Sequence, residues 1–362
     1  MITVKVSTAA PQWDWVRQTP NNDGIWNNCK FIFDKEIKKC DFWIVYGSIK
    51  QKEFVECSKK NIILISSEPP STNQYHQKFL DQFDTIITCH KNIKHPNVIL
   101  DHPSLPWFVG YQPPKREFTK SYSELSSIKN YEKTKLISIV CSEKTFTKGH
   151  KQRFEFVQKL KNHFGDYIDF FGKPFKSVQD KWHAIYPYKY HIVIENCSIP
   201  YYWTEKIADP FLAQSYPFYC GCKNIEDYFP NESFTKIDIS NPKKAFEIIK
   251  ETIENKTYEK SIEHLKRSKD LVLNKHNFFP KMAEFIQQRQ TLRYPSYAKA
   301  TEGRLLLEQL SLSNEALCEV GGERFLRKKE QITLYPGDFF YKSDPIHKKV
   351  VRKTKYFVFG RW

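Results

Sequence analysis

Residues Tyr190 to Asp227 have the sequence YHIVIENCSIPYYWTEKIADPFLAQSYPFYCGCKNIED, and they are the most informative part of the chain. The stretch opens with the apolar run His191 to Ile194, which predicts a short buried strand because β-branched side chains fit a covered, pleated surface. A polar loop follows, and Thr204 has the position of an N-cap for a helix over about residues 205–215. A strand, a loop and a helix in this order are typical of an α/β protein.

Lys206 falls in the first turn of that helix. The helix macrodipole makes this end positive, so a cation is unfavourable there. A local rule that is broken in a loop after a strand often marks a functional site. A bound anion would compensate, because a helix N-terminus and a lysine together form a phosphate site. The residues alone therefore predict an anion site around Lys206.

The same stretch resembles the donor-binding signature of the family 10 glycosyltransferases, the α1,3/α1,4-fucosyltransferases. The resemblance rests on an ordered set of residues: Glu195-Asn196, the aromatic Tyr202, Thr204-Glu205-Lys206, and then Pro217 and Gly221. It extends over residues 135–234, is faint in the N-terminal third and is lost towards the C-terminus. Two departures are Trp203, where the family has a smaller aliphatic residue, and Pro210 inside the helix. Both departures bear on the shape of the sugar pocket, and hence on the identity of the donor sugar, more than on the fold.

The family resemblance implies an α/β, GT-B-like fold in which two Rossmann-like domains face a cleft, with a small C-terminal appendage. A chain of 362 residues is long enough for two cores. We expect an acceptor-binding domain over residues 1–115, a linker over 116–134 and a donor-binding domain over 135–294. Residues 295–362 form a basic appendage of unknown role.

Continuous apolar runs in the first third predict parallel strands covered on both faces. The runs are Phe42–Gly47, Ile62–Ser66, Thr85–Cys89 and Asn97–Leu100. No Gly-x-Gly-x-x-Gly follows any of them, so this half has no dinucleotide fingerprint and the acceptor is its expected ligand.

Glu68 lies in the sequence Ser66-Ser67-Glu68-Pro69-Pro70, just after one of these predicted strands. Ligands of open α/β sheets gather at the carboxyl ends of strands. The position also resembles the family loop in which a glutamate before a proline acts as catalytic base, which makes Glu68 the candidate base. The alternative is that Glu68 caps the Pro-Pro turn. Glu53 and Glu56 are rival bases, although both are expected at solvated helix positions.

Arg153 is the candidate diphosphate ligand. A strand over 136–142 and a basic loop over 144–151 precede a helix at about 153–162, and the family has an arginine at the start of this helix. A guanidinium can engage two phosphate oxygens at once and stays charged at any working pH. Lys148 and Lys151 compete for the role, and a solvated helix position is the alternative for Arg153.

The resemblance assigns roles to the remaining donor-site residues. Arg153 and Lys206 would stabilise the phosphates, and Thr204 would cap the helix. The other expected ligands are Glu205 for ribose or sugar hydroxyls, Asn196 for the fucose or phosphate region, Tyr202 beside the nucleotide and Glu195 near the anomeric centre. For each of them the alternative is a strand-end or helix-cap residue.

The resemblance implies an inverting transfer of fucose from GDP-fucose to a hydroxyl of a glycan or glycolipid acceptor, in surface glycan or lipopolysaccharide synthesis. No cofactor and no metal ion is required, because basic side chains replace the divalent ion at the diphosphate. Alternatives are the same fold with another nucleotide sugar, a non-catalytic glycan-binding relative and a nucleic-acid-binding protein. The last is suggested by charge and aromatic content alone, without any binding motif, so nucleic acid is not an expected partner.

Charge and cysteine usage bear on the location of the protein. With 57 basic and 41 acidic residues the net charge is +16, which favours polyanionic partners. No signal peptide or membrane span is recognisable, and the nine cysteines are scattered, apart from Cys220 and Cys222, as in a reduced cytosolic protein. Basic and aromatic residues near the C-terminus suggest peripheral contact with an anionic membrane. We therefore expect a cytoplasmic protein, peripheral at the inner face of the cell membrane.

Overall fold

The computed structural model describes residues 1–113, 115–129, 131–293, 330–337 and 339. Its first sheet has seven strands in the order β2-β3-β1-β4-β6-β7-β8, and every neighbouring pair is parallel except β2 with β3. In chain order the strands of this part, with the separate β5, are β1 (Ile2–Thr8), β2 (Ile25–Trp26), β3 (Cys29–Ile32), β4 (Phe42–Tyr46), β5 (Glu53–Cys57), β6 (Ile62–Ile65), β7 (Thr85–Thr88) and β8 (Val98–Leu100). A short helix, α1 (Gln77–Leu80), lies between β6 and β7.

The apolar runs predicted as strands correspond to β4, β6, β7 and β8. The predicted parallel α/β architecture is confirmed. The central strands β4 and β6 are buried along their whole length, as expected for a sheet covered on both faces. The expectation for Glu53 and Glu56 was wrong, because both lie in β5 rather than in a helix. Glu53 is buried and forms an ion pair with Lys5 at 3.2 Å, so its carboxylate has a structural partner.

The second sheet has five strands, all parallel, in the order β12-β11-β13-β14-β15. Its strands are β11 (Lys135–Val140), β12 (Asp169–Phe171), β13 (Tyr188–Ile194), β14 (Tyr216–Cys220) and β15 (Thr235–Lys236). Helix α3 (Lys148–Phe164) connects β11 to β12, and α4 (Glu205–Leu212) connects β13 to β14. The strand and helix expected in the stretch 190–227 are therefore present.

Residues 116–134, expected as a linker, contain regular structure. Strands β9 (Tyr111–Gln112) and β10 (Glu117–Phe118) pair antiparallel, and helix α2 (Tyr122–Ser127) begins with a capping box between Ser121 and Glu124. The segment thus connects the two sheets as a folded element.

Helices follow the second sheet: α5 (Pro242–Glu254), α6 (Thr257–Lys260), α7 (Ile262–Leu271), a π-helical turn (Val272–His276) and α8 (Phe278–Arg293). Phe278, Phe279 and Met282 of α8 pack in the core of the first sheet, although residues up to 294 were expected in the donor domain. The chain therefore crosses back to the first unit after His276. No described helix is both long enough and apolar enough to span a membrane.

The C-terminal appendage is described only at residues 330–337 and 339, so the basic and aromatic segment proposed to contact a membrane lies outside the described residues. Strand β16 (Glu330–Leu334) pairs antiparallel with β5, and Ile332 and Leu334 are buried against the first sheet. This part of the appendage belongs to the first unit.

Candidate functional site

The carboxyl ends of β11 and β13 lie side by side in the second sheet, and the candidate donor residues follow them. Ser142 comes after β11, and Glu195 and Asn196 come after β13. The start of α3 is close to the second of these ends, because a Cβ added at Gly149 would overlap the main-chain oxygen of Asn196. The fold thus places the α3 N-terminus beside the Glu-Asn pair.

Thr204 caps α4, as predicted, and its hydroxyl accepts from the main-chain nitrogen of Lys206 at 3.3 Å. The Glu195 carboxylate accepts from the Thr204 nitrogen at 2.9 Å and from its hydroxyl at 2.8 Å. Both residues are buried. Glu195 therefore fixes the turn that leads into α4.

Lys206 is compensated inside the protein. Its ammonium lies 3.1 Å from a Glu205 carboxylate oxygen and 3.6 Å from Glu195 Oε2. Burial would lower the pKa of Lys206, but these carboxylates outweigh it and raise the pKa above its ordinary value. For Glu205, burial would raise the pKa, but the charges of Lys206 and Lys181 outweigh this effect and lower the pKa below its ordinary value. The Lys206 charge is thus balanced by two carboxylates of the protein, and the predicted bound anion would add to them.

Arg153 is buried and joins the two strand ends. Its Nη1 donates to Asn196 Oδ1 at 2.6 Å, and its Nη2 donates to the main-chain oxygen and the hydroxyl of Ser142 at 3.3 and 3.1 Å. It lies in the second turn of α3 rather than at its start, whereas Lys148 and Lys151 are exposed. Of these basic residues, Arg153 is the one that contacts the Glu-Asn loop.

Glu68 follows β6 in the first unit and faces the charged residues of the second unit. Burial raises the pKa of its carboxyl to about 7, against the opposing effect of Lys206 and with a smaller contribution from Glu205. Its main-chain oxygen accepts from His90 Nε2 at 2.7 Å, which fixes the loop. A carboxyl group with a pKa near neutrality suits a general base.

Tyr202 is 1% exposed, so its ring is packed inside the protein close to these carboxylates. Burial, followed by the charges of Glu68, Glu195 and Glu205, raises the pKa of its phenol well above the ordinary value. The phenol therefore remains protonated next to carboxylates that belong to both units.

The sequence analysis gave no role to Lys144 and His150, both of which belong to the basic loop over 144–151. Lys144 is half-buried in the loop between β11 and α3, and it faces Lys206, Arg153 and Glu68. Burial, with help from Arg153, lowers the pKa of His150 to about 4, and its Nδ1 lies 2.7 Å from the Thr147 hydroxyl. The available signal was their position in the loop after a strand-ending serine, where ligands gather.

A cavity of about 290 Å³ lies at the carboxyl ends of β11 and β12. Its lining includes Tyr111, Val140, Gly172 and Lys181. Lys181 also forms a buried ion pair with Asp209 of α4 at 2.7 Å, one turn after Glu205. The cavity is therefore adjacent to the helix that carries the Thr-Glu-Lys residues.

The two units are in direct contact beside this helix. Asp209 Oδ1 accepts from the main-chain nitrogen of Phe108 at 2.9 Å. Trp203 stacks on His102, which follows β8, with ring centroids 4.2 Å apart. Pro210 lies inside α4, which nevertheless continues to Leu212. Both departures from the family pattern thus lie at or next to the interface between units.

No group of three or more His, Cys, Asp or Glu side chains with the geometry of a metal site occurs within the described ranges. The charged groups brought together here are therefore basic side chains and carboxylates. The arrangement places the Glu68 carboxyl group, whose pKa burial raises to about 7, in one unit of a two-unit α/β protein and the cation Lys206 in the other.

Residues 130–292 match the family model described as "Glycosyltransferase family 10 (fucosyltransferase) C-term". This part of the chain is therefore similar to the C-terminal domain of the family 10 glycosyltransferases. No curated protein matches the sequence.

Solved structures with a similar chain course include an α1,3-fucosyltransferase with GDP-fucose, at 14% identity and a TM-score of 0.42, covering 72% of this chain and 81% of that one. A structure of α1,3-fucosyltransferase with GDP has 14% identity and a TM-score of 0.45, covering 77% and 92%. A glycosyltransferase from Rickettsia africae has 10% identity and a TM-score of 0.42, covering 79% and 97%.

Proposed function

We propose that the protein transfers fucose from GDP-fucose to a hydroxyl group of a glycan acceptor with inversion at the anomeric carbon. The observation that carries the proposal is the position of Glu68, which faces Lys206 and Glu205 from the opposite unit. The fucosyltransferase family match of residues 130–292 supports the choice of donor class.

In the proposed reaction, Glu68 removes the proton of the acceptor hydroxyl as that oxygen attacks the anomeric carbon. The bond from this carbon to the diphosphate breaks in the same displacement, and GDP leaves with the electron pair. Arg153 and Lys206 stabilise the negative charge that accumulates on the departing phosphates. Base and leaving group then lie on opposite faces of the sugar, which is the condition for inversion.

We assign the donor-binding roles from the burial of each residue and from its hydrogen-bond and ion-pair partners. Glu195 is saturated by Thr204 and Lys206, so we assign it to holding the α4 turn and supporting the charge near the anomeric centre. Asn196 presents its amide beside Arg153 and is assigned to the fucose or phosphate region. Glu205 is assigned to ribose or sugar hydroxyls, and Tyr202 to the wall next to the nucleotide.

The cavity beside α4 is suited to the nucleoside part of the donor. Tyr111 and Val140 give it apolar walls, and Lys173 and Lys181 supply hydrogen-bond donors. Such donors complement a base edge that carries acceptor atoms, as the O6 and N7 edge of guanine does. A divalent metal is not needed in this scheme, because basic side chains neutralise the diphosphate.

We place the enzyme in the cytoplasm, in the synthesis of a surface glycan or lipopolysaccharide. The net charge of +16 supports peripheral contact with an anionic membrane that carries the acceptor. Nucleic acid is not an expected partner. A second candidate is the same reaction with another nucleotide sugar, which the departures at Trp203 and Pro210 favour.

Calorimetric titration with GDP and GDP-fucose tests the proposal, with Lys206→Ala compared to the unaltered protein. Lys159→Ala is a matched control, because Lys159 is exposed on α3. We expect GDP binding that Lys206→Ala abolishes and Lys159→Ala preserves. Binding of a different nucleotide sugar alone would replace fucose as the donor sugar, and binding of no nucleotide would refute the proposed function.

A further inference from the structure

The loop between β11 and α3 is fixed at both of its ends against donor-site residues. At its start, the oxygen atoms of Ser142 accept from Arg153. At its end, Thr147 caps α3, and Gly149 packs against the main chain of Asn196. The residues between these anchors are therefore held next to Arg153 and Asn196.

Lys144 is the residue of this loop that turns inward. Its side chain is half-buried, whereas Glu143, Thr145 and Phe146 are exposed. A lysine that gives up part of its hydration normally gains a compensating partner. Among the residues that the structure describes, no hydrogen bond or ion pair closes on the Lys144 ammonium, in contrast to Lys206.

The charges around Lys144 come from both units. Burial lowers the pKa of its ammonium, and the positive charges of Lys206 and Arg153 lower it further, while Glu68 and Glu205 oppose this effect. Lys206 already has its own carboxylate partners, and Arg153 is bound to neutral oxygen atoms. The region between Lys144 and Arg153 thus has an excess of positive charge that suits an anionic ligand.

We propose that Lys144 is a third diphosphate ligand, which binds the phosphates of the nucleotide sugar together with Arg153 and Lys206. This inference rests on the proposed function, since the nucleotide-sugar donor supplies the diphosphate.

The position of Lys144 also lets its charge affect the ionisation of Glu68, the proposed base. Lys144 is one of the charged groups facing Glu68, with Lys206, Glu205 and Glu195, and it favours the ionised carboxylate. Removal of Lys144 raises the pKa of Glu68. The acid limb of the pH–rate profile, where Glu68 becomes protonated, then moves to higher pH. A purely structural lysine would leave this limb in place.

The test is calorimetric titration of the full chain with GDP and, separately, with inorganic pyrophosphate, for Lys144→Ala and Lys144→Arg. Lys148→Ala is the matched control, since Lys148 is exposed on the same segment. For Lys144→Ala we expect GDP affinity to fall about tenfold or more, as for a lost charge-assisted hydrogen bond, and the acid limb to shift upward. Lys144→Arg restores most of the affinity, and Lys148→Ala changes neither quantity.

The outcomes separate this inference from the proposed function. Equal GDP affinity of Lys144→Ala and the unaltered protein would overturn the role of Lys144 and leave the fucosyltransferase proposal intact. Pyrophosphate binding that depends on Lys144, without GDP binding, would retain the anion site and refute the donor. Thermal melting of each variant without ligand verifies that it is folded, and binding of neither ligand refutes both proposals.

Discussion

Arg153 Nη1 lies 2.6 Å from Asn196 Oδ1, so the second turn of α3 is bonded directly to the loop after β13. The same guanidinium also bonds Ser142 after β11. One side chain therefore ties together the residues that follow two neighbouring strands. A diphosphate bound there meets a guanidinium whose orientation is already fixed.

For Arg153→Lys we expect GDP to bind about tenfold more weakly, because an ammonium cannot replace the planar fork of donors. Calorimetric titration measures the change. The exposed Arg267 provides the control, since Arg267→Lys alters the same chemistry away from the site. Unchanged affinity in Arg153→Lys would show that this guanidinium does not bind the donor.

For Glu68→Gln we expect kcat to fall about 10²- to 10⁴-fold, the usual contribution of a general base, while GDP affinity is retained. Steady-state rates of GDP release measure kcat, and titration measures affinity. Glu155→Gln, an exposed change on α3, is the control. A Glu68→Gln enzyme with normal turnover would transfer the base role to another residue.

The pH dependence follows from the pKa of Glu68, which burial raises to about 7. The base works when ionised, so the rate declines as the pH falls through about 7 and reaches a plateau above it. Initial rates measured with saturating donor at stepped pH give the midpoint. A midpoint near the ordinary carboxyl pKa would contradict the burial of Glu68 in the working enzyme.

Asp209→Asn tests the buried ion pair between Asp209 and Lys181. The amide still accepts from Phe108, but the Lys181 charge loses its partner, so we expect a loss of about 3–5 kcal/mol in the free energy of unfolding. Urea unfolding measures it. Adding Lys181→Met to the same chain recovers most of the loss. Glu263→Gln breaks an exposed pair with Lys266 and costs less than about 1 kcal/mol.

His191 makes the protein sensitive to acid. Burial lowers the pKa of His191 to about 3, whereas the unfolded chain has the ordinary value of 6.5. Below pH 6.5 the unfolded state binds the proton and the folded state does not, so stability falls as the pH is lowered. The contribution approaches about 1.4 kcal/mol per pH unit for one group. Urea unfolding at stepped pH shows a smaller slope for His191→Gln, and the exposed His183→Gln leaves it unchanged.

The sequence was sufficient for features that depend on local chemistry. Continuous apolar runs located β4, β6, β7 and β8, and a threonine before a helix located the Thr204 cap. The ion-pair partners of Lys206 could not be predicted from the sequence. One of them, Glu195, comes close to Lys206 only when β13 and α4 pack together. The inward turn of Lys144 was also invisible, since burial within a loop depends on elements far away in the chain.

The sequence also did not predict which helices and strands pack together in the first unit. Helix α8 has apolar residues that suit any sheet face, and nothing local states that Phe278 and Met282 belong with β1 and β4. Likewise β16 is a short amphipathic segment whose partner, β5, lies far earlier in the chain. Long-range pairing of this kind is fixed by shape and burial in the completed fold.

The pairing of β16 with β5 has a consequence for synthesis on the ribosome. The second sheet, from β11 to β15, is followed directly by the helices up to Leu273 that complete its core. The first unit begins earlier but needs α8 and then Ile332 and Leu334 to cover its sheet. The unit that is translated first is therefore completed last, because its apolar faces stay uncovered until α8 and β16 have been made.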